Sequence, residues 1–175
     1  MRTLLTFFVV SVISFSSCGQ KEKKTAEKTK TNLIALPEKP LNWVSDFEGI
    51  LKPSEIIYLD SIIELNEKQT TNQIAVVTLD FDSAYLHTIE NYEQVSLRLF
   101  RQWGVGLKDK NNGIGILISP QLKMVRIEVG LGLEKKLTDE EAKIIIDSFF
   151  IPEFKKGNYY IGIKNGLQEV FKETK

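Results

Sequence analysis

A turn signal followed by two short apolar runs most constrains the fold of this chain. The signal is Asn111-Asn112-Gly113, and asparagine and glycine both tolerate the positive φ angles of tight turns. The runs extend over 114–119 and 124–130, and the second alternates apolar and polar side chains as a half-covered strand does. We therefore predict an antiparallel hairpin. Its geometry should bring Asn112, before the first strand, close to Gly130, at the end of the second.

Helical and strand patterns alternate over the rest of the chain. The predicted elements are, in order, a helix over 53–70, a strand over 74–79, a helix over 88–103, the hairpin, a helix that starts after Thr138 and ends at Pro152, and a helix over 159–173. The continuous apolar run at 74–79 indicates a strand covered on both faces. The order predicts an α/β or α+β fold, with a small mixed sheet that contains the hairpin and has helices on both faces.

The N-terminus has the pattern of an export signal. One positive charge, an apolar run and small residues precede Cys18, the only cysteine of the 175 residues. We predict a lipoprotein signal peptide over 1–17, with Cys18 carrying the lipid that anchors the protein to a membrane. The alternative is an ordinary secretory signal with an incidental cysteine. A single cysteine has no disulfide partner within the chain, and this favours lipidation.

A solvated tether is predicted between the anchor and the domain, over 18–41, with the domain itself over 42–175. The tether is rich in lysine and glutamate and ends in two prolines. Up to residue 40 the chain holds 7 of its 23 basic residues and 3 of its 23 acidic residues, so 16 basic and 20 acidic residues remain. A domain with a formal charge of −4 has no basic surface for nucleic acid and attracts cations more readily.

Oxygen-bearing side chains at the ends of the predicted elements are candidate ligands for a divalent cation. They are Asp46 before the first helix, Asn111 and Asn112 in the turn, and Glu134 and Asp139 after the hairpin, with Asn111 the weakest of the set. A hard cation such as calcium binds carboxylate, amide and backbone oxygens. If the turn and the stretch after Gly130 fall at the same end of the sheet, these donors converge on one site.

Several of these side chains also have a structural explanation. Asp139 would lie in the first turn of a helix, where a negative charge interacts favourably with the helix dipole. Asn112 and Gly113 are sufficient to form a turn without any ligand. Glu134 has no such local role, although solvated loop glutamates are common. The pattern of residues leaves both interpretations open.

Taken together and in this order, the segments resemble the TPM domain. This family includes thylakoid-lumen phosphatase-like proteins, a photosystem II repair factor and many bacterial envelope proteins. The resemblance covers about Trp43 to Phe171, and the ordered set of blocks is specific although no single block is. The matching blocks are Val44-Ser45-Asp46-Phe47 with Leu51 and Pro53, Gln73 to Thr78, Leu99-Phe100 with Trp103-Gly104-Val105-Gly106, Asn111-Asn112-Gly113-Ile114, Val125 to Glu134, Leu137-Thr138-Asp139, and Pro152-Glu153-Phe154 with Gly157-Asn158-Tyr159.

The resemblance implies a mixed central sheet with helices on both faces, in the manner of a Rossmann-like sandwich. It also implies a divalent cation as ligand, with calcium favoured over magnesium, and acid phosphatase activity is attributed to the plant lumen members. The chain departs from the family pattern at two positions. Asn111 stands where many members have aspartate, which removes an anionic ligand. Leu131 stands where an aromatic residue is usual, which alters the rim of a pocket.

Three functions are compatible with these features. The first is a lipid-anchored envelope domain, in the periplasm or at the cell surface, that binds a divalent cation and supports the assembly or interactions of other envelope proteins. The second is a metal-assisted acid phosphatase of low activity, with Arg126, Lys135 or Lys136 supplying positive charge. The third is a structural domain without a ligand. Catalytic residues stay unassigned, and Gly130-Leu131-Gly132 is too short for a dinucleotide-binding loop, so no nucleotide is expected.

Overall fold

The structure is a computed structural model that describes residues 33–81 and 91–175. The predicted signal peptide, Cys18, most of the predicted tether and the predicted helix start at Thr88 lie outside the described residues. Thr31–Lys175 forms one compact unit. The strands are β1 (Val44–Asp46), β2 (Gln73–Thr78), β3 (Gly113–Ser119) and β4 (Met124–Val129). The α-helices are α1 (Pro53–Thr70), α2 (Tyr92–Trp103), α3 (Asp139–Ile145), α4 (Ile151–Phe154) and α5 (Tyr159–Glu173).

The strands form one mixed sheet in the order β1-β2-β3-β4. β1, β2 and β3 are parallel, with Asp46 opposite Thr78 and Thr78 opposite Ile118. β4 is antiparallel to β3, and Ile114 lies opposite Val129. The predicted hairpin and mixed sheet are therefore confirmed. β1 was not predicted, because three residues are too few to show a periodic pattern.

Two apolar cores lie on opposite faces of the sheet. The larger core packs α1, α3 and α5 against alternate side chains of the central strands, such as Val76 and Ile116. The smaller core packs α2 against the intervening side chains, such as Val77 and Leu117. Successive side chains of a strand point to opposite faces, so one continuous apolar run serves both cores. Helices on both faces are confirmed.

α2 begins at Tyr92, where Asn91 forms its N-terminal cap. The Asn91 side chain accepts a hydrogen bond from Gln94 N, and the Gln94 side chain accepts one from Asn91 N in return. This reciprocal pair satisfies two backbone donors that the first turn leaves free. The helix ends at Trp103, as predicted, and Gly104 follows it with a left-handed backbone conformation.

The helix after Thr138 was predicted to end at Pro152, and this prediction is wrong. α3 continues through a π-helical segment, Ile146–Phe150, directly into α4, and Ile151 N donates to Ile146 O. Pro152 lies in the first turn of α4, where its missing N–H is tolerated. The π-helical segment places the Phe150 ring against Gly166 of α5, where a Cβ atom would lie 1.9 Å from the ring.

Residues before the predicted domain boundary also contact the domain. Ile34 and Leu36 pack against the smaller core, and the Pro37 carbonyl accepts hydrogen bonds from the side chains of Gln102 and Trp103. The C-terminal part of the predicted tether thus lies on α2. Among the described helices, none is long and apolar enough to cross a bilayer.

Candidate functional site

An open groove of about 890 Å³ lies beside the hairpin, between α2 and the start of α3. One wall consists of the end of α2 and the loop after it, including Leu107 and Lys108. The other wall consists of the end of β4, the loop over 130–138 and the first turn of α3. Leu131, which stands where an aromatic residue is usual in the family, lies at the rim of the groove and is 73% exposed.

Glycines allow the chain segments at this end of the sheet to approach each other closely. A Cβ atom on Gly130 would lie 2.3 Å from Asn111 O, and one on Gly132 would lie 2.0 Å from Lys110 O. Gly130 N donates to Gly113 O at 2.8 Å, and Gly132 N donates to Asn111 O at 3.0 Å. The expected proximity of the turn and the stretch after β4 is confirmed. The two glycines are required for close backbone approach.

The groove brings together three of the five candidate ligands, Asn111, Glu134 and Asp139. All three are exposed. Neither carboxylate has a hydrogen bond or an ion pair to another group in the described parts of the chain. Their oxygens are therefore accessible to a ligand from solvent.

Asn112 lies next to this site, but its side chain is already engaged. The residue is 4% exposed. Its Oδ1 accepts a hydrogen bond from Leu107 N at 2.9 Å, and its Nδ2 donates to Thr71 O at 2.7 Å. Asn112 thus joins the loop after α2 to the end of α1, and it does not line the groove.

Asp46 lies at the opposite end of the sheet from the groove. It ends β1, which runs parallel to β3, whereas Asn112 immediately precedes β3. Its carboxylate accepts hydrogen bonds from Ile50 N, Leu51 N and Thr78 Oγ1. The five donors therefore do not all converge, since Asp46 as well as Asn112 lies outside the groove. The sequence pattern could not show the position of Asp46, because it does not reveal the parallel pairing of β1.

Arg126 contributes a cation to the groove, and carboxylates already surround it. Its guanidinium donates to Glu128 and to Glu93, each at 3.0 Å. Burial disfavours its charge, but the hydrogen bond and charge of Glu128, with the charges of Glu93 and Asp139, outweigh burial and raise its pKa. Arg126 therefore stays charged and partly neutralises the carboxylates of Glu93, Glu128 and Asp139 around it.

The remaining groove charges are mixed. Arg101 and Lys108 line one wall, and Glu128 and Glu140 line the other. Glu128 and Glu140 were not predicted as site residues. The alternation of apolar and polar side chains along β4 could have indicated Glu128, and the acidic first turn of α3 could have indicated Glu140. No group of three or more histidine, cysteine, aspartate or glutamate side chains suited to a metal ion occurs within 33–81 and 91–175. A cation in the groove would therefore need backbone, amide or water oxygens beside the carboxylates.

A comparison with protein families matches residues 44–173 to the TPM domain. The chain belongs to the TPM domain family. The match spans all four strands and all five α-helices given above. A comparison with curated proteins finds no match.

Solved TPM-like structures show the same fold. The solution NMR structure of the N-terminal domain of a protein from P. gingivalis has 32% identity and a TM-score of 0.65, over 75% of this chain and 81% of that chain. The NMR structure of the BA42 protein of Bizionia argentinensis has 18% identity and a TM-score of 0.60, over 73% and 83%. The N-terminal domain of the cg2496 protein of Corynebacterium glutamicum has 14% identity and a TM-score of 0.56, over 82% and 86%.

Proposed function

We propose that this TPM domain is a lipid-anchored interaction module of the bacterial cell envelope, with the groove as a binding site for a divalent cation. The observation that carries the cation proposal is the position of Glu134 and Asp139. Both are exposed in one groove beside Asn111, and no group in the described chain occupies their oxygens. Folding alone accounts for Asp46 and Asn112 but gives Glu134 no role.

Calcium fits this groove better than magnesium. Calcium is coordinated by six to eight oxygen atoms in flexible geometry, and these can come from carboxylates, carbonyls and water. Magnesium requires near-ideal octahedral coordination and usually keeps several of its water ligands. The groove is open and supplies two free carboxylates with a turn asparagine, so solvent would complete the coordination. Arg126 lies near enough to Asp139 for their charges to interact, and it would oppose cation binding. These features predict modest affinity.

Calorimetric titration of Thr31–Lys175 with calcium and with magnesium tests the cation proposal. This segment contains the complete described fold, and a similar domain has been solved in solution by itself. We expect calcium to release or absorb heat and to raise the melting temperature, with a weaker effect of magnesium. The combined variant Glu134→Gln with Asp139→Asn should lose both effects. The absence of heat and of a melting shift in the unmodified domain would contradict the proposal.

A matched control separates site binding from loss of surface charge. Glu64→Gln with Asp147→Asn removes the same two types of carboxylate from exposed ion pairs with Lys68 and Lys143, outside the groove. This control should bind calcium as the unmodified domain does. Equal loss in the control and the groove variant would indicate a non-specific charge effect.

The three cations that the sequence offered for a phosphatase gain little support from the geometry, although Arg101 and Lys108 also line the groove. Arg126 is already paired with two carboxylates, and Lys136 Nζ donates to the Lys175 carbonyl. Lys135 is exposed and does not line the groove. A transferred phosphoryl group requires positive charge directed at it. We expect no hydrolysis of p-nitrophenyl phosphate with calcium or magnesium. Hydrolysis that disappears in the Glu134→Gln, Asp139→Asn variant would favour the enzyme instead.

A further inference from the structure

Helix α1 carries large apolar side chains on the face that points away from the core. Its buried residues are Leu59, Ile63 and Asn66. Ile57 and Leu65 lie on the opposite side of the helix, and they are 69% and 55% exposed. A surface helix normally has polar residues on this face, so the folding of a single copy does not explain either side chain.

Ser61 lies between these two exposed side chains, four residues from each. Residues four apart form a ridge along a helix, and such ridges fit into the grooves of a second helix. Ser61 is small and exposed, and its hydroxyl already donates to Tyr58 O at 2.6 Å. A second helix can therefore cross close to Ser61 without burying an unsatisfied hydrogen-bond donor.

We propose that this α1 ridge, Ile57, Ser61 and Leu65, binds the same ridge of a second copy of the protein. The two helices would cross in antiparallel orientation about a two-fold axis at Ser61. Ile57 of each copy would then pack on Leu65 of the other. An axis at Ile57 or at Leu65 would instead set the other apolar side chain opposite a position beyond the end of α1.

The charges on this face of α1 agree with an axis at Ser61. Glu64 of each copy would lie opposite Tyr58 of the other, whose hydroxyl would donate to the carboxylate. Lys68 would lie opposite Ser54. The two Lys68 residues would be about 20 Å apart, because the seven residues between the axis and each lysine span about 10 Å of helix. An axis at Glu64 would place two carboxylates opposite each other, which is unfavourable.

Tyr58 is held in position before the two copies meet. Its ring makes an edge-to-face contact with Tyr160 of α5, with 6.2 Å between the ring centroids. Lys164 Nζ lies 5.5 Å from the centroid of the Tyr58 ring. A side chain that is already fixed loses little conformational freedom on binding. This favours association through α1.

A second copy fits the α1 ridge better than a lipid surface does. Helices that lie on membranes combine an apolar face with a polar face rich in lysine and arginine. The charged residues on the ridge face of α1 are Glu64 and Lys68, and they pair with each other at 2.6 Å. This face therefore has no excess of positive charge.

The association should be weak, because one helix ridge buries less area than the interface of a tight dimer. It does not depend on the cation groove, so the measurements are made with a chelator present. Sedimentation of Thr31–Lys175 over increasing concentration, to about 1 mM, should show a monomer–dimer equilibrium. Monomer throughout this range would overturn the proposal.

Two isoleucine variants test the surface that is used. Ile57→Ser should weaken association about tenfold or more, because each copy loses an apolar contact. Ile144→Ser is the matched control, since Ile144 is 60% exposed but lies on α3. The control should leave the dissociation constant unchanged. Equal weakening by both substitutions would overturn the proposal.

A single introduced cysteine tests the position of the axis, because Cys18 is the only cysteine of the sequence and lies outside Thr31–Lys175. Ser61→Cys should form a disulfide between copies in a redox buffer, since the two thiols meet at the axis. Ser54→Cys is the control on the same exposed face, about 20 Å from its counterpart, and should not cross-link. Equal cross-linking of both variants would overturn the proposed pairing.

Flotation with vesicles of phosphatidylglycerol and phosphatidylcholine tests the other occupant. Thr31–Lys175 lacks Cys18, and we expect it to stay unbound. Flotation that is abolished by Ile57→Ser and by Leu65→Ser would assign the α1 ridge to a lipid surface, and would overturn the proposal.

Discussion

Neighbouring asparagines have different roles in this protein. Asn111 has a positive φ of 49° and an exposed side chain that lines the groove. Asn112 is buried and uses its amide to connect two loops. The sequence identified both as turn residues, but it could not show which amide faces solvent. That distinction depends on Leu107 and Thr71, which lie on different segments.

Substitution of each asparagine by aspartate should therefore give opposite results. Asn112→Asp removes the donor to Thr71 O and places a negative charge beside that carbonyl, which should destabilise the fold by about 1–3 kcal/mol. Asn111→Asp adds an exposed carboxylate to the groove and should strengthen calcium binding with little effect on stability. Denaturant unfolding and calcium titration of both variants measure these effects. Stronger calcium binding by Asn112→Asp alone would contradict the assignment.

Gly115 is required because α2 packs directly on the backbone of β3. A Cβ atom at this position would lie 2.2 Å from the Phe100 ring. Gly115→Ala should destabilise the protein by about 1–3 kcal/mol through overpacking. Phe100→Leu should cost less in the Gly115→Ala background than in the unmodified protein, because the smaller side chain relieves the clash. Additive effects in denaturant unfolding would show that the ring and the glycine are not coupled.

Elements with signals in their own sequence were predicted well. Pro53 and Thr70 bound α1 as expected, Thr138 caps α3 with Glu141, and the last helix covers the expected 159–173. The elements that were not predicted, β1 and the π-helical segment, are those that depend on contacts with residues distant in the sequence. β1 is held by β2 and Asp60, and the π-helical segment is fitted to Gly166.

The cap of α3 makes stability depend on pH. Hydrogen bonds from Thr138 N and then the Thr138 hydroxyl lower the pKa of Glu141 from its ordinary 4.5. A lowered pKa in the folded state contributes stability above pH 4.5, and this is lost as pH falls through the folded value. Glu141→Gln keeps a capping side chain without the charge.

The unmodified protein should therefore be more stable than Glu141→Gln at pH 7, and the difference should shrink as the pH falls from 7 through 4.5 towards the lowered pKa of Glu141. Denaturant unfolding of both proteins over this range is the measurement. A difference that is constant with pH would show that the carboxylate charge does not contribute to the cap.

The hairpin made the meeting of three of the five candidate ligands predictable. It fixes the turn and the stretch after Gly130 at one end of the sheet, and Asn111, Glu134 and Asp139 accordingly meet there. The position of Asp46 depends on the order and direction of all strands, which no local pattern encodes. The contribution of α2 to the groove wall likewise depends on packing across the smaller core.

The proposed membrane anchor is tested in the cell. Cys18→Ala removes the thiol that would carry the lipid, and we expect the protein to move from the membrane fraction to the soluble fraction. Cys18→Ala protein that stays in the membrane fraction after a high-salt wash would contradict lipidation at this residue. The groove variant Glu134→Gln with Asp139→Asn serves as a control, and it should stay in the membrane fraction.

Chemical-shift mapping during a calcium titration of Thr31–Lys175 tests the cation proposal most directly. We expect saturable shifts of the backbone amides around Asn111, Glu134 and Asp139, at one end of the sheet. The amides around Asp46, at the other end, should be unaffected. The Glu134→Gln, Asp139→Asn variant should show no saturable shifts. Shifts centred on Asp46, or shifts that persist in this variant, would contradict a cation site in the groove.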